Sequence, residues 1–356
     1  SPCRVKRFAT GSIQQSGLTQ TKKGNTMKMK KTITVLLIAA IAAASLAGCG
    51  RNGENASSDP PQSENSSRTE ISAPGGSSNE PTSEPEVQLP ASETLSKYFD
   101  KIVSEHPDAD GAQLANYFVM HPFLDTSLCE QATWNYMKFL QPTTGFREGA
   151  ELPEYKHFTQ IDCSELGSPF VCYIFELNEG ADAESFMTAA RENADGGFAS
   201  EQYISGTGKW VFFVSCGDDI RKNAPATDEL TAIQIMKRVR AEAGLSMSIK
   251  TESVSGDDRG YFFGIKENAA LVDDSGVVCE PDIMSSAFSV VIVKVKNSGD
   301  VEKVRSEMEK GLDPGKAICM IADAACAVAK GDYIIGVIGT EDDCKTISEI
   351  FANIVK

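Results

Sequence analysis

Phe170-Val171-Cys172-Tyr173-Ile174-Phe175-Glu176-Leu177-Asn178-Glu179-Gly180-Ala181-Asp182-Ala183-Glu184-Ser185-Phe186 decides how the folded part of this chain is built. Its first half is a short apolar run with large side chains at both odd and even positions, which predicts a strand covered on both faces. Its second half places Ala183, Phe186, Met187 and Ala190 at helical spacing behind Asp182, a residue suited to cap a helix N-terminus. The same pattern returns, without a gap, at Phe288-Ser289-Val290-Val291-Ile292-Val293-Lys294-Val295-Lys296-Asn297-Ser298-Gly299-Asp300-Val301-Glu302-Lys303-Val304. Asp300 stands where Asp182 does, and Val301, Val304 and Met308 continue the stripe.

Working outward, Gly208-Lys209-Trp210-Val211-Phe212-Phe213-Val214 matches Gly331-Asp332-Tyr333-Ile334-Ile335-Gly336-Val337. Each match leads into a further helix, at about 227–243 and 341–355. Upstream, 134–140 and 261–265 read as matching leading strands. Repetition of a supersecondary unit is the economical explanation. The expected fold class is α+β: two tandem related units, 91–244 and 245–356, each a small mixed β-sheet with packed helices, after a disordered N-terminal tether. The first unit carries two extra amphipathic helices at 94–106 and 112–120. The second has no evident counterpart to them, because 246–260 is polar and turn-rich.

Ahead of the repeat the composition changes twice. Eight of the 34 basic residues and none of the 50 acidic ones precede Cys49, so the part from Cys49 onward carries a formal charge of about −24. A body this acidic repels phosphate backbones and anionic lipid surfaces, which argues against nucleic acid as a partner and leaves room for a cationic ligand. From Met27 the chain runs through Lys28, Lys30 and Lys31, an apolar stretch at 33–44, and Ser45-Leu46-Ala47-Gly48-Cys49. That is the tripartite form of a secretory signal, and the apolar run is too short for a span of about 20 residues. Residues 1–26 read as a non-native upstream extension. Between 50 and 90, Ser, Pro, Glu, Asn and Gly dominate, a composition that cannot bury enough surface to fold. As a flexible coil of about 40 residues it spans roughly 35 Å.

Leu46-Ala47-Gly48-Cys49 resembles the lipobox of bacterial lipoproteins. The resemblance implies a diacylglyceryl group on the Cys49 thiol and cleavage between Gly48 and Cys49. The segments are then a signal peptide at 27–48 and a lipidated tether at 49–90. The partner is membrane lipid through acylated Cys49, and the location is the extracytoplasmic face of the cell membrane. More than one acyl chain makes such an anchor stable. With the tether, and with Tyr261-Phe262-Phe263-Gly264-Ile265 through 288–304 to Gly331-Asp332-Tyr333-Ile334-Ile335, the chain also resembles lipoproteins of Gram-positive, clostridia-like bacteria carrying tandem copies of a domain of unknown function. That resemblance implies a surface α/β-type module and no activity.

No catalytic, cofactor-binding or metal-binding array is expected. Beyond Cys49 the exported part holds Cys129, Cys163, Cys172, Cys216, Cys279, Cys319, Cys326 and Cys344, with no Cys-x-x-Cys pair. Eight cysteines allow about 105 connectivities, so sequence alone chooses none. Cys172, Cys216 and Cys326 lie in apolar runs and read as buried. His106, His121 and His157 form no ligand array. Gly206-Thr207-Gly208-Lys209 lacks the earlier glycine and the following Ser or Thr of a phosphate loop and reads as a turn. Asp257-Asp258, Asp273-Asp274 and Glu341-Asp342-Asp343 lack the calcium-loop alternation and read as solvated turns. Trp134, Trp210, Tyr203 and Tyr333 line either a cleft or the core.

The sequence therefore points to a tethered, non-enzymatic binding or assembly module for an unidentified protein or small-molecule ligand, held in the crevice between the copies. The alternatives are a cell-envelope-acting enzyme and a substrate-capturing component of a transporter.

Overall fold

The computed structural model describes residues 88–356, apart from 136–140, 225–228, 246–247, 282–285 and 318–319. The signal segment, Gly48, Cys49, nearly all of the tether, and Cys319 lie outside the described residues.

Phe170–Glu176 is a strand, as its two-faced apolar pattern requires, and so is Ser289–Lys294. They belong to a single sheet. In chain order its strands are β1 (Glu130–Asn135), β2 (His157–Asp162), β3 (Phe170–Glu176), β4 (Glu201–Thr207), β5 (Trp210–Cys216), β6 (Ile249–Ser253), β7 (Val277–Pro281), β8 (Ser289–Lys294), β9 (Ala324–Lys330) and β10 (Tyr333–Gly339). Across the sheet the order is β4-β5-β3-β2-β1-β6-β7-β8-β10-β9. Outward from the β1–β6 contact, the pairings run β1-β2-β3-β5-β4 one way and β6-β7-β8-β10-β9 the other.

The pairings between these strands are antiparallel, so the sheet is not mixed as the sequence suggested. The reason is local. The helix after β3 or β8 leads into a hairpin, β4–β5 or β9–β10, whose second strand returns against β3 or β8. Gly208 and Gly331 sit at those hairpin turns with positive φ, which explains the repeated glycine.

Two leading-strand assignments change. Of the 134–140 reading, Trp134 and Asn135 end β1 and 136–140 lie outside the described residues, while 261–265 is not a strand. Arg259–Phe262 is a short helix, α5 when numbered in chain order, and Phe263 and Ile265 lie buried with Val278, Val291 and Val293. The strand that meets β1 is β6, inside the stretch read as turn-rich.

The helices are α1 (Ala91–Glu105), α2 (Gly111–Phe118), α3 (Ala183–Asn193), α4 (Ala232–Glu242), α5, α6 (Val301–Gly311) and α7 (Glu341–Ile354). One face of the sheet carries α1 on β4 and β5, α2 on β1 to β3, α4 on β7 and β8, and α7 on β9 and β10. Thus α4, which the sequence reads as closing the first stretch, lies over strands of the second. The opposite face carries α3 on β4 and β5, and α6 on β9 and β10. Asp182 caps α3 by accepting from the Glu184 and Ser185 backbone N–H groups. Asp300 precedes α6 but makes no such bond, because it ends a 3-10 turn.

α1 begins behind Pro90 without a side-chain cap of its own. Its orphan N–H groups are met from afar: Ala91 N–H donates to Asp218 Oδ1 at 3.2 Å and Ser92 N–H to Glu201 Oε2 at 3.0 Å. Arg221 Nη2 holds the Leu89 carbonyl just outside the helix.

Candidate functional site

Side chains alternate across a strand, so the register fixes what each face presents. On the α3/α6 face, β1 offers Glu130, Ala132 and Trp134, paired with Asp162, Gln160 and Phe158 of β2. Beyond β1, β6 offers Lys250 and Glu252, opposite Glu280 and Val278 of β7. The helices of this face lie over the outer strands, and the loops that return over it bury Phe146 and Tyr155 on one side and Phe263 and Ile265 on the other. Between them is a partly exposed polar floor.

Charge is organised along that floor. Lys250 Nζ lies 3.2 Å from Glu130 Oε1 and 2.7 Å from Glu252 Oε1, and these carboxylates raise its pKa. Gln160 Nε2 donates to Asp162 Oδ2 at 2.5 Å. Burial pushes the Asp162 carboxyl up, Gln160 partly offsets this, and Glu130 adds to it. At the β7 end Lys316 pairs with Glu280 and donates to Ser289 Oγ at 2.9 Å. Its ammonium also lies 5.8 Å and 5.5 Å from the ring centres of Tyr261 and Phe262. Four carboxyl groups thus face two ammonium groups, an arrangement that attracts cations.

The opposite face holds a second ionic cluster. Glu176, only 4 % exposed, lies 3.1 Å from His157 Nε2, 3.1 Å from Lys156 Nζ and 2.8 Å from Lys209 Nζ. Burial alone pushes Glu176 up, but the bonds from Lys209 and Lys156 and the His157 charge leave it lowered. His157 is lowered by burial, against the pull of Glu176. Lys209 also sits 4.8 Å above the Trp210 ring. Among the described residues no hydroxyl or thiol bonds to His157, and the cluster ties the ends of β2, β3 and β5 together.

Beneath α4 lies a third group. Lys237 donates to the Val119 carbonyl at 3.1 Å and to that of Leu124, and burial lowers its ammonium to about 7. Asp125 accepts from Arg238 and from Gln234 Nε2. Arg240 Nη1 donates to Thr251 Oγ1 at 2.8 Å.

The residues named from sequence are scattered. His106 stacks on Tyr117, and His121 accepts from the Phe123 N–H. Trp210 and Tyr333 are buried, and Tyr203 packs half-buried on the core. Trp134 alone of that set lies on the floor. Gly206 to Lys209 spans the β4–β5 turn. Asp343 belongs to the capping box of α7, and Asp274 pairs with Arg259. Cys172, Cys216, Cys279 and Cys344 are buried free thiols, and Cys326 is buried with its Sγ 3.5 Å from Ser348 Oγ. Cys129 and Cys163 form a disulfide immediately outside the register pair Glu130 and Asp162. The sequence left that bridge open, because its signal is the pairing of β1 with β2. Among the described residues no group of three or more His, Cys, Asp or Glu is placed to hold a metal ion, and no helix is long and apolar enough to cross a membrane.

Comparison with protein-family models, with curated proteins and with solved structures finds no match to this chain.

Proposed function

We propose that the protein is a lipid-anchored, extracytoplasmic binding module of the clostridia-like lipoprotein kind, without chemistry of its own, which takes a cationic ligand on the floor between α3 and α6. The floor itself carries this reading: a partly exposed strip of sheet with Glu130, Asp162, Glu252 and Glu280 set against Lys250 and Lys316. The mirrored strand order supports two copies of one α+β unit, with α1 and α7, and α2 and α4, in matching places. The Cys129–Cys163 bridge suits an oxidising compartment.

The address and the binding face are tested separately. Cys49→Ala removes the acylated thiol and is expected to abolish incorporation of a fatty-acid probe and release the protein from the membrane fraction; continued labelling of that variant sinks the anchor. For the floor, primary-amine solutes and basic envelope fragments are expected to raise the melting temperature, and their N-acetylated forms are not, because only a bound form gains stability by mass action. The double variant Glu130→Gln, Glu252→Gln is expected to bind at least about tenfold more weakly, as loss of two charge contacts implies. Equal binding of amines and acetylated forms removes the reading.

A further inference from the structure

The layer beneath α4 contains a charge that the chain leaves unbalanced. Arg240 is 2 % exposed, and a guanidinium stays protonated in a protein. One of its nitrogens, Nη1, is bonded to Thr251, while Nε and Nη2 have no partner among the described residues. Those two nitrogens share one edge of the group, the edge that presents parallel N–H donors and clasps carboxylates and other anions.

Among the described residues no carboxylate bonds to Arg240. The thiol of Cys279 acts on Arg240 but burial keeps it in its neutral form, and the Lys237 ammonium is a like charge within range of the guanidinium. Asp125, the buried carboxylate of this layer, is occupied by Arg238 and Gln234. A further contact of Arg240 is uncharged: Asn116 Nδ2 donates to the Arg240 carbonyl at 3.4 Å, and Asn116 Oδ1 is likewise without a partner among the described residues. A buried ion without a partner is strongly destabilising. Water satisfies two donors but leaves the charge.

We infer that the Nε–Nη2 edge of Arg240 holds a small monovalent anion of halide size at the interface between α4 and β6. With Arg240 only 2 % exposed, a single small ion fits such a site better than an organic acid. The site is separate from the floor, on the other face of the sheet, and binding there stabilises the folded state. It stands whether or not the floor binds amines.

The test uses the full chain, dialysed into sodium gluconate and then melted across a chloride series at constant ionic strength. Linkage predicts that the melting temperature climbs about 2–3 °C for each tenfold rise in chloride above the dissociation constant. Crystals grown in bromide are expected to show an anomalous peak in contact with both Nε and Nη2. Identical melting in chloride and gluconate, or no bromide peak at Arg240, overturns the inference. So does a peak without any chloride dependence, which marks an adventitious ion only. Arg240→Met is expected to lose the chloride dependence; the two measurements on the unaltered protein decide the matter even where that variant does not fold.

Discussion

Lys237 of α4 donates to the Val119 and Leu124 carbonyls, on either side of His121 in the chain, and burial lowers the pKa of both groups. Lys237 is lowered to about 7 by burial, against the pull of Asp125, whereas in an unfolded chain a lysine titrates near about 10.4. Between those values the unfolded chain binds a proton that the folded one does not, so this residue makes stability rise with pH and weighs fully against folding below about 7. The buried thiols of Cys172, Cys216 and Cys279 are pushed up, and they act in the opposite sense above about 8.5. The comparison that isolates Lys237 is the unaltered protein against Lys237→Met in urea at pH 7 and 8.5. The former is expected to gain about 1–2 kcal/mol on the variant over that interval. A constant difference between the two shows that the ammonium stays charged when folded. His121 follows the same sign at lower pH: burial, helped by Arg221, takes it down to about 4, so stability falls as pH drops from about 6.5 towards that value.

At the scale of elements, what could be read from sequence followed burial on both faces. β3, β5, β8 and β10 show as continuous apolar runs because helices or loops cover each side. β6 escaped notice for the opposite reason: Ile249 and Thr251 face the core, while Lys250 and Glu252 face the open floor, and the sum resembles a turn-rich segment. Tyr261 to Ile265 misled because aromatics can bury by folding down onto a sheet face as well as by joining the sheet. Gly264 shows how closely that cover is held. Its φ is +66°, and an added Cβ meets the Gly311 carbonyl carbon at the end of α6. Gly264→Ala is therefore expected to cost about 2–4 kcal/mol through backbone strain and overpacking, whereas alanine at Gly180, which meets nothing within 4 Å, carries only the strain of its positive φ. Chemical denaturation of the two variants checks the order, and equal losses refute the contact.

For the whole molecule, the floor was illegible beforehand because it is assembled from Glu130, Asp162, Lys250 and Glu280, which only the strand register brings side by side. Cys49, by contrast, sits in a local motif and needs no fold to be read. The net charge of the chain from Cys49 onward adds a field over the floor's own carboxylates. Association of a cationic ligand is accordingly expected to slow at least about tenfold between low salt and about 0.5 M, with dissociation nearly unchanged, in stopped-flow measurements. A salt-independent on-rate assigns the ligand to uncharged contacts. The junction where the tether becomes α1 has a mechanical meaning as well. For a chain held by lipid at Cys49, every pull arrives at Leu89, where Arg221 grips the carbonyl, while Asp218 and Glu201 hold the next two N–H groups. These bonds share the load across two other segments of the body. Tension along such a tether has to break them together before the first turn of the helix unwinds, and the joint thereby shields the sheet behind it.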